Sequence, residues 1–191
     1  MVGVVGFAAW AASNAFESSY RDPAVIDRVK QEFAIFPDET AGEIFVAELD
    51  GRIVGWGARE NTPNYISDLW VHPDHQGKGI GKALLLHLCE LMKGEGLETA
   101  RLDTHAKNSG AIRLYERCGF KIIWHGIEFA KSMGVPLEKV HLQKQLVEDS
   151  RDKPEERQAP SRISRRRLIY REALRGGPHA EAGSCTVDRG L

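Results

Sequence analysis

The chain is poor in cysteine: Cys89, Cys118 and Cys185 are the only three in 191 residues, and no C-x-x-C occurs. That excludes a disulfide framework and a zinc ribbon, and it fits a reducing cytoplasm. Charge of one sign is lacking too. Against 26 Lys and Arg stand 27 Asp and Glu, a net −1, which excludes a wholly basic nucleic-acid binder. Long hydrophobic runs are missing: the apolar opening, Met1–Ala12, falls short of the roughly 20 residues that span a bilayer. No Lys or Arg precedes it, as an export signal requires. It reads as the buried face of a short helix through Gly6–Phe16, and the chain as soluble and cytoplasmic. His72, His75 and His105 lack ligand spacing such as H-x-x-x-H, so no metal is expected, and the three are read as surface residues or loop hydrogen-bonders. Internal repeats are absent.

What is present is an ordinary globular composition, 42% hydrophobic and 28% charged, in a length that suits one domain with a remainder. The remainder is visible. Beyond Val147 the composition loosens, and Tyr170 is the only aromatic residue in 148–191. From Asp149 onward ten basic residues face seven acidic ones. So little apolar surface cannot offset the entropy of ordering, so 148–191 is expected to be a mostly disordered basic tail behind a domain at 1–147. Ser161–Arg175 reads as a transient basic helix within it, and the tail is the only stretch suited to nucleic acid.

The body alternates in type. Asp22-Pro23 resembles an N-cap followed by proline at the first helical position. Val25, Ile26, Val29, Phe33 and Phe36 then recur at helical spacing up to Pro37. Strand-like runs Glu43–Leu49 and Arg52–Glu60 flank Asp50-Gly51, a two-residue hairpin signal. Tyr65–His72 is a third strand, Lys78–Lys93 a helix, Leu97–Thr104 a strand and Ser109–Arg117 a helix closed by Gly119. Phe120–His125 and Lys139–Leu146 are the last strands. The fold class is therefore α/β, a mixed sheet of about six strands flanked by helices.

The most informative run is His72-Pro73-Asp74-His75-Gln76-Gly77-Lys78-Gly79-Ile80-Gly81-Lys82, between a strand end and a helix start. Its alternating glycines let a ligand approach the backbone. The first helical turn offers unpaired amides and partial positive charge, and Lys78 and Lys82 add full charges. That combination suits a pyrophosphate. It is neither G-x-x-x-x-G-K-[ST] nor G-x-G-x-x-G. A tight turn with a glycine-rich helix start is the plain alternative.

Gln76-x-x-Gly79-x-Gly81 resembles the Q/R-x-x-G-x-G/A signature of the GNAT superfamily of acyl-CoA N-acyltransferases. Leu69-Trp70-Val71 resembles that family's cofactor strand. Asn108-Ser109-Gly110-Ala111-Ile112-Arg113-Leu114-Tyr115-Glu116-Arg117-Cys118-Gly119-Phe120 resembles its N-x-x-A-x-x-x-Y-x-x-x-G-F motif. The resemblance covers roughly Gly6–Leu146. It implies a mostly antiparallel sheet whose first strand is here short or missing, since only Met1–Val5 precedes Gly6.

The resemblance further implies acetyl-CoA as cosubstrate, with its pyrophosphate on Gln76–Lys82 and its pantetheine arm along the backbone of Leu69, Trp70 and Val71. The Val71 amide would face the thioester oxygen. Asn108 and Tyr115 share one helix face, about 10 Å apart. Asn108 serves as helix N-cap, cofactor contact or both. Tyr115 is either a core aromatic or the donor to the departing thiolate. Asp68 and Asp103 are candidates for the base that takes the amine proton, or plain strand-end charges. The implied activity is acetyl transfer from acetyl-CoA to a primary amine by direct attack in a ternary complex. The alternative is a degenerate CoA-binding or regulatory module with a basic interaction tail. The acceptor, a small molecule or a protein amine, is not named by the sequence, no membrane partner is expected, and a homodimer is compatible with it.

Overall fold

The computed structural model describes residues 1–13, 15, 22–39, 43–60, 62–147 and the strand 169–172. Its elements are α1 (Val2–Ala11), α2 (Pro23–Glu39), β1 (Glu43–Leu49), β2 (Arg52–Arg59), β3 (Tyr65–Val71), a short 3₁₀ turn (Pro73–His75), α3 (Ile80–Gly94), β4 (Thr99–His105), α4 (Ser109–Arg117), β5 (Lys121–Ala130), β6 (Val135–Gln145) and β7 (Ile169–Glu172). The strands form one sheet in the order β5-β6-β4-β3-β2-β1-β7. Only β3 and β4 are parallel, and α3 provides the crossover between them. This is the mixed, mostly antiparallel sheet expected.

Local chemistry explains most boundaries. Asp50 and Gly51 both take positive φ, 51° and 75°, the hand that lets a two-residue turn match strand twist. Gly119, at φ 90°, turns the chain out of α4. Other boundaries need correction. The first helix runs over Val2–Ala11 rather than from Gly6 to Phe16, and no strand precedes it among the described residues. α2 continues through Pro37 to Glu39. β5 extends past His125 to Ala130, and β6 begins at Val135, not Lys139, around a turn with Gly134 at φ 70°. Pro136 fits inside β6 because the β4 ladder reaches only to Lys139, leaving its nitrogen side without a strand to bond among the described residues. In the tail, Ile169–Glu172 pair antiparallel with Phe45–Glu48, where a helix was expected. The rest of that expectation, and the disorder expected across 148–191, lie outside the described residues.

Two layers of helix cover the sheet. On one face Leu85, Leu88 and Met92 of α3 and Tyr115 of α4 pack on Ile66, Ala100, Leu102 and Leu142. On the other, α1 and α2 bring Val5, Trp10, Val29 and Phe33 against Val46, Trp56 and Ala58. The helices on this second face touch backbone to backbone. A Cβ at Gly3 would lie 2.1 Å from the Phe33 carbonyl oxygen, so glycine is what permits the crossing.

Candidate functional site

β3 and β4 pair only at Tyr65↔Arg101 and Ile66↔Leu102, and no further rung joins them. A gap opens toward their carboxyl ends. The β2–β3 register decides what faces it. His72 N donates to Val54 O at 2.9 Å, so Trp70 is the next residue bonded to β2. By antiparallel alternation the backbone groups of Leu69 and Val71 point the other way, into the gap. The Val71 oxygen is taken by Gln76 Nε2 at 3.0 Å, which leaves its N–H. Trp70, expected beside them, turns its backbone to β2. Its indole packs edge-on against Phe33, with ring centroids 5.1 Å apart.

A bulge sets the other side of the gap. Ala58 faces Asp68, but Arg59 faces Ile66, so Ser67 is an extra residue in β3. Ile66 therefore enters the core beneath α3, while Asp68 and Trp70 lie on the α1/α2 face.

At the end of β3 the chain makes the glycine turn. Gly77 and Gly79 take φ 70° and 83°, and a Cβ built on either would meet nothing within 4 Å. Glycine is required there by the backbone, and the space in front is open. Gly79 is the N-cap of α3 with no side-chain cap, and the first intrahelical bond is Ala83 N to Gly79 O at 3.0 Å. The amides of Ile80, Gly81 and Lys82 are thus unpaired within the helix, as an anion site needs. A Cβ at Gly81 would sit 3.5 Å from Leu114 and Val71, ordinary contact. The Ile80 side chain is core.

A cavity of about 760 Å³ runs from this turn along β3 to Asp68, Asp103 and Tyr115. It brings together Leu69, Trp70, Val71, Gln76, Gly77, Gly79, Ile80, Gly81, Lys82 and Asn108 from the sequence-derived set. It does not include Lys78, whose ammonium bonds back to the Asp74 carbonyl at 2.7 Å. Asn108 caps α4, accepting from Ala111 N at 3.2 Å and donating to Thr104 Oγ1 at 3.2 Å.

Sequence reasoning missed several lining residues. Arg113 and Arg117 stand one helical turn apart on α4 and join Lys82 as cations on the cavity wall. Their spacing was the available signal. His75 also lines the cavity, and its buried Nδ1 has no partner among the described atoms. An orphaned polar atom beside unpaired amides and cations is what a bound polyanion would satisfy. His72, in the turn after β3, accepts from Asp74 N as a loop hydrogen-bonder, whereas His105 is the buried last residue of β4 and accepts from Lys107 N. Among the described residues no group of three or more His, Cys, Asp or Glu could hold a metal ion. Nor is any described helix long and apolar enough to cross a membrane.

The two candidate bases differ. Burial pushes the Asp68 carboxyl up to about 6, opposed by the hydrogen bond from Trp70 Nε1 at 2.8 Å. Asp103 is pinned: Tyr65 donates its hydroxyl to one carboxylate oxygen, and Lys139 Nζ lies 2.6 Å from the other. The Tyr65 phenol is raised by burial and then by Asp103. Burial, and behind it the charges of Asp103 and Asp68, also pushes the Tyr115 phenol well above its ordinary range.

The profile of the Acetyltransferase (GNAT) family matches residues 9–120. A Streptomyces coelicolor mycothiol acetyltransferase is 34% identical over 119 residues, 59% of this chain but 38% of that protein, so the chain spans well under half of its length. A solved GCN5-related N-acetyltransferase from Rhodopseudomonas palustris superposes with a TM-score of 0.64 at 21% identity, covering 75% of this chain and 87% of that one. A Salmonella typhimurium acetyltransferase, solved with its cofactor acetyl-CoA, gives 0.54 at 22% identity over 80% and 90% of the two chains. At those identities the structures speak for the fold, and the profile for descent. The chain belongs to the GNAT acetyltransferase family.

Proposed function

We propose that this chain is an N-acetyltransferase that takes acetyl-CoA and a primary amine into one ternary complex and moves the acetyl group by direct attack. The supporting observation is convergence on one cavity of an uncapped helix N-terminus behind two left-handed glycines, a free strand edge, and a carboxyl and a phenol at the far end. These residues fit the cosubstrate. The amides of Ile80, Gly81 and Lys82, with the side chains of Lys82, Arg113 and Arg117, would hold its phosphates. The backbone of Leu69 and Val71 would pair with its arm as an added strand. Bound there, acetyl-CoA supplies an acyl group activated as a thioester.

The chain's own groups then divide the work. The Val71 N–H, pointing into the gap, donates to the oxygen that gains charge as the amine attacks; such donors are worth about 10²–10³ in rate. Asp68 takes the amine proton, directly or through water, because a carboxyl held near 6 is largely ionised at neutral pH yet still basic. Tyr115 donates a hydrogen bond to the departing sulfur. Full proton transfer from an ordinary phenol to a thiolate is uphill by about 2 kcal/mol, and the raised phenol of Tyr115 makes it more so. Stabilisation by hydrogen bonding is the role its position supports.

Thiol release measured over a panel of amines (peptide N-termini, lysine, polyamines, amino sugars and amino acids) tests the reading and names the acceptor. Amine-dependent release with at least one member is expected. Tight acetyl-CoA binding without release for any of them would leave a binding module instead.

A further inference from the structure

The outer strands of the sheet are finished differently. β1 is covered by β7, whereas β5, ten residues long, has β6 on one side and no strand on the other among the described residues. Edge strands of monomeric proteins are kept short, charged or covered. β5 is neither short nor covered among the described residues, and its two charges, Lys121 and Glu128, flank a run of apolar side chains. Ile122, Ile127 and Phe129 are 46%, 74% and 64% exposed, and Trp124 39%. Apolar surface gathered this way on an unpaired ladder marks an interface.

The strand is also complementary to itself. Against β6 its rungs run Lys121, Ile122, Trp124, His125, Gly126, Ile127, Glu128, with Ile123 the extra residue of a bulge. Antiparallel pairing of two identical strands about a two-fold axis requires that the axis pass through a rung, so that each rung meets its mirror position. With the axis at His125, Trp124 faces Gly126, Ile122 faces Ile127 and Lys121 faces Glu128 of the second copy. One register therefore matches aliphatic to aliphatic and cation to anion, each twice. Residues that line the cavity are not used.

From this self-complementarity we infer that two copies of the chain pair antiparallel through β5 and join their sheets into one. The inference is independent of the activity proposed above. Sedimentation velocity of the full chain across the micromolar range tests it. The parent should be a reversible dimer. Ile127→Lys, Lys121→Glu and Glu128→Lys should each weaken dimerisation tenfold or more while the circular dichroism of the parent is retained. The double variant Lys121→Glu with Glu128→Lys should dimerise again, since both contacts are restored with signs exchanged. A parent that stays monomeric would overturn the inference, as would a dimer indifferent to all three single changes. A dimer that appears only on removal of residues 148–191 would overturn it too, because those residues would then be the occupant of this edge.

Discussion

The two ends of the cavity are built by opposite means. At the glycine turn, the cavity is built around backbone amides from one contiguous stretch, Gly77–Lys82, with Arg113 and Arg117 of α4 beside them, and the amides' arrangement follows from two positive-φ glycines and a helix start. At the other end it is built from side chains of separated elements, Asp68 on β3, Asp103 on β4 and Tyr115 on α4, brought together by the topology. The first end is stiff because its geometry is that of the chain itself. The second is tunable, since each group's proton affinity depends on burial and neighbours. Damage at the first should therefore abolish binding, and damage at the second should slow turnover while binding persists.

The largest effect tests the backbone end. Gly81→Trp would fill the space in front of the α3 amides, and CoA affinity should fall below detection in calorimetry while circular dichroism stays that of the parent. Gly81→Ala should bind nearly as the parent does, because a methyl there meets only ordinary contacts at 3.5 Å. Parental affinity in the Trp variant would break the comparison at once.

Next comes Asp68→Asn. Turnover should fall by about 10²–10³-fold with CoA affinity unchanged. The parent's rate should climb through a limb near pH 6 that the variant lacks. Stability should move the opposite way. In the folded chain Asp68 keeps its proton up to about pH 6, whereas the unfolded chain releases it near about pH 4. The folded state binds more protons in that window, so the parent loses stability as pH rises through it. At neutral pH the Asn variant should thus be the more stable protein, by about 3 kcal/mol. A slower but more stable enzyme is the expected signature of a buried base.

Tyr115→Phe should lower turnover by about 10²-fold and leave CoA affinity alone, since the hydroxyl is felt only as sulfur gains charge. Because burial raises this phenol, the parent's rate should show no falling limb from tyrosine ionisation at moderately alkaline pH. Parental turnover in the Phe variant would reduce Tyr115 to a core residue.

The same contrast explains what was legible in the sequence. The glycine turn, the Asp50-Gly51 hairpin and the α4 cap are written in adjacent residues, and so could be read. The carboxyl end could be nominated but not resolved. A strict period of two puts Ile66, Asp68 and Trp70 on one face of β3, and only the bulge at Ser67 turns Asp68 and Trp70 away from Ile66. Nor does local sequence show that Lys139, 36 residues on, reaches Asp103. The extent of β5 and β6 was misjudged for a related reason. Gly126 and Pro136 look like breakers until the missing rungs beyond Lys139 are known.

The smallest effect sharpens the comparison within the carboxyl end itself. Asp103 lines the same cavity as Asp68, yet both of its oxygens are engaged, by the Tyr65 hydroxyl and by Lys139 Nζ at 2.6 Å. A partner on each oxygen holds the Asp103 carboxylate in place, whereas on Asp68 the hydrogen bond from Trp70 Nε1 falls on Oδ1. The Asp103 carboxylate ties β3, β4 and β6 together beside the last rung that β3 and β4 share. Asp103→Asn should keep an acceptor for Tyr65 but turn an amide against the Lys139 ammonium, costing about 1–3 kcal/mol of stability. Turnover should stay within about tenfold of the parent, and adding Lys139→Met should return much of the lost stability by removing the stranded charge. If Asp103→Asn instead lost the limb near pH 6 and as much turnover as Asp68→Asn, with its melting temperature intact, the two carboxyl groups would have to exchange roles. The pinned residue would be the base, and the buried one, Asp68, would be the residue that only holds the strand.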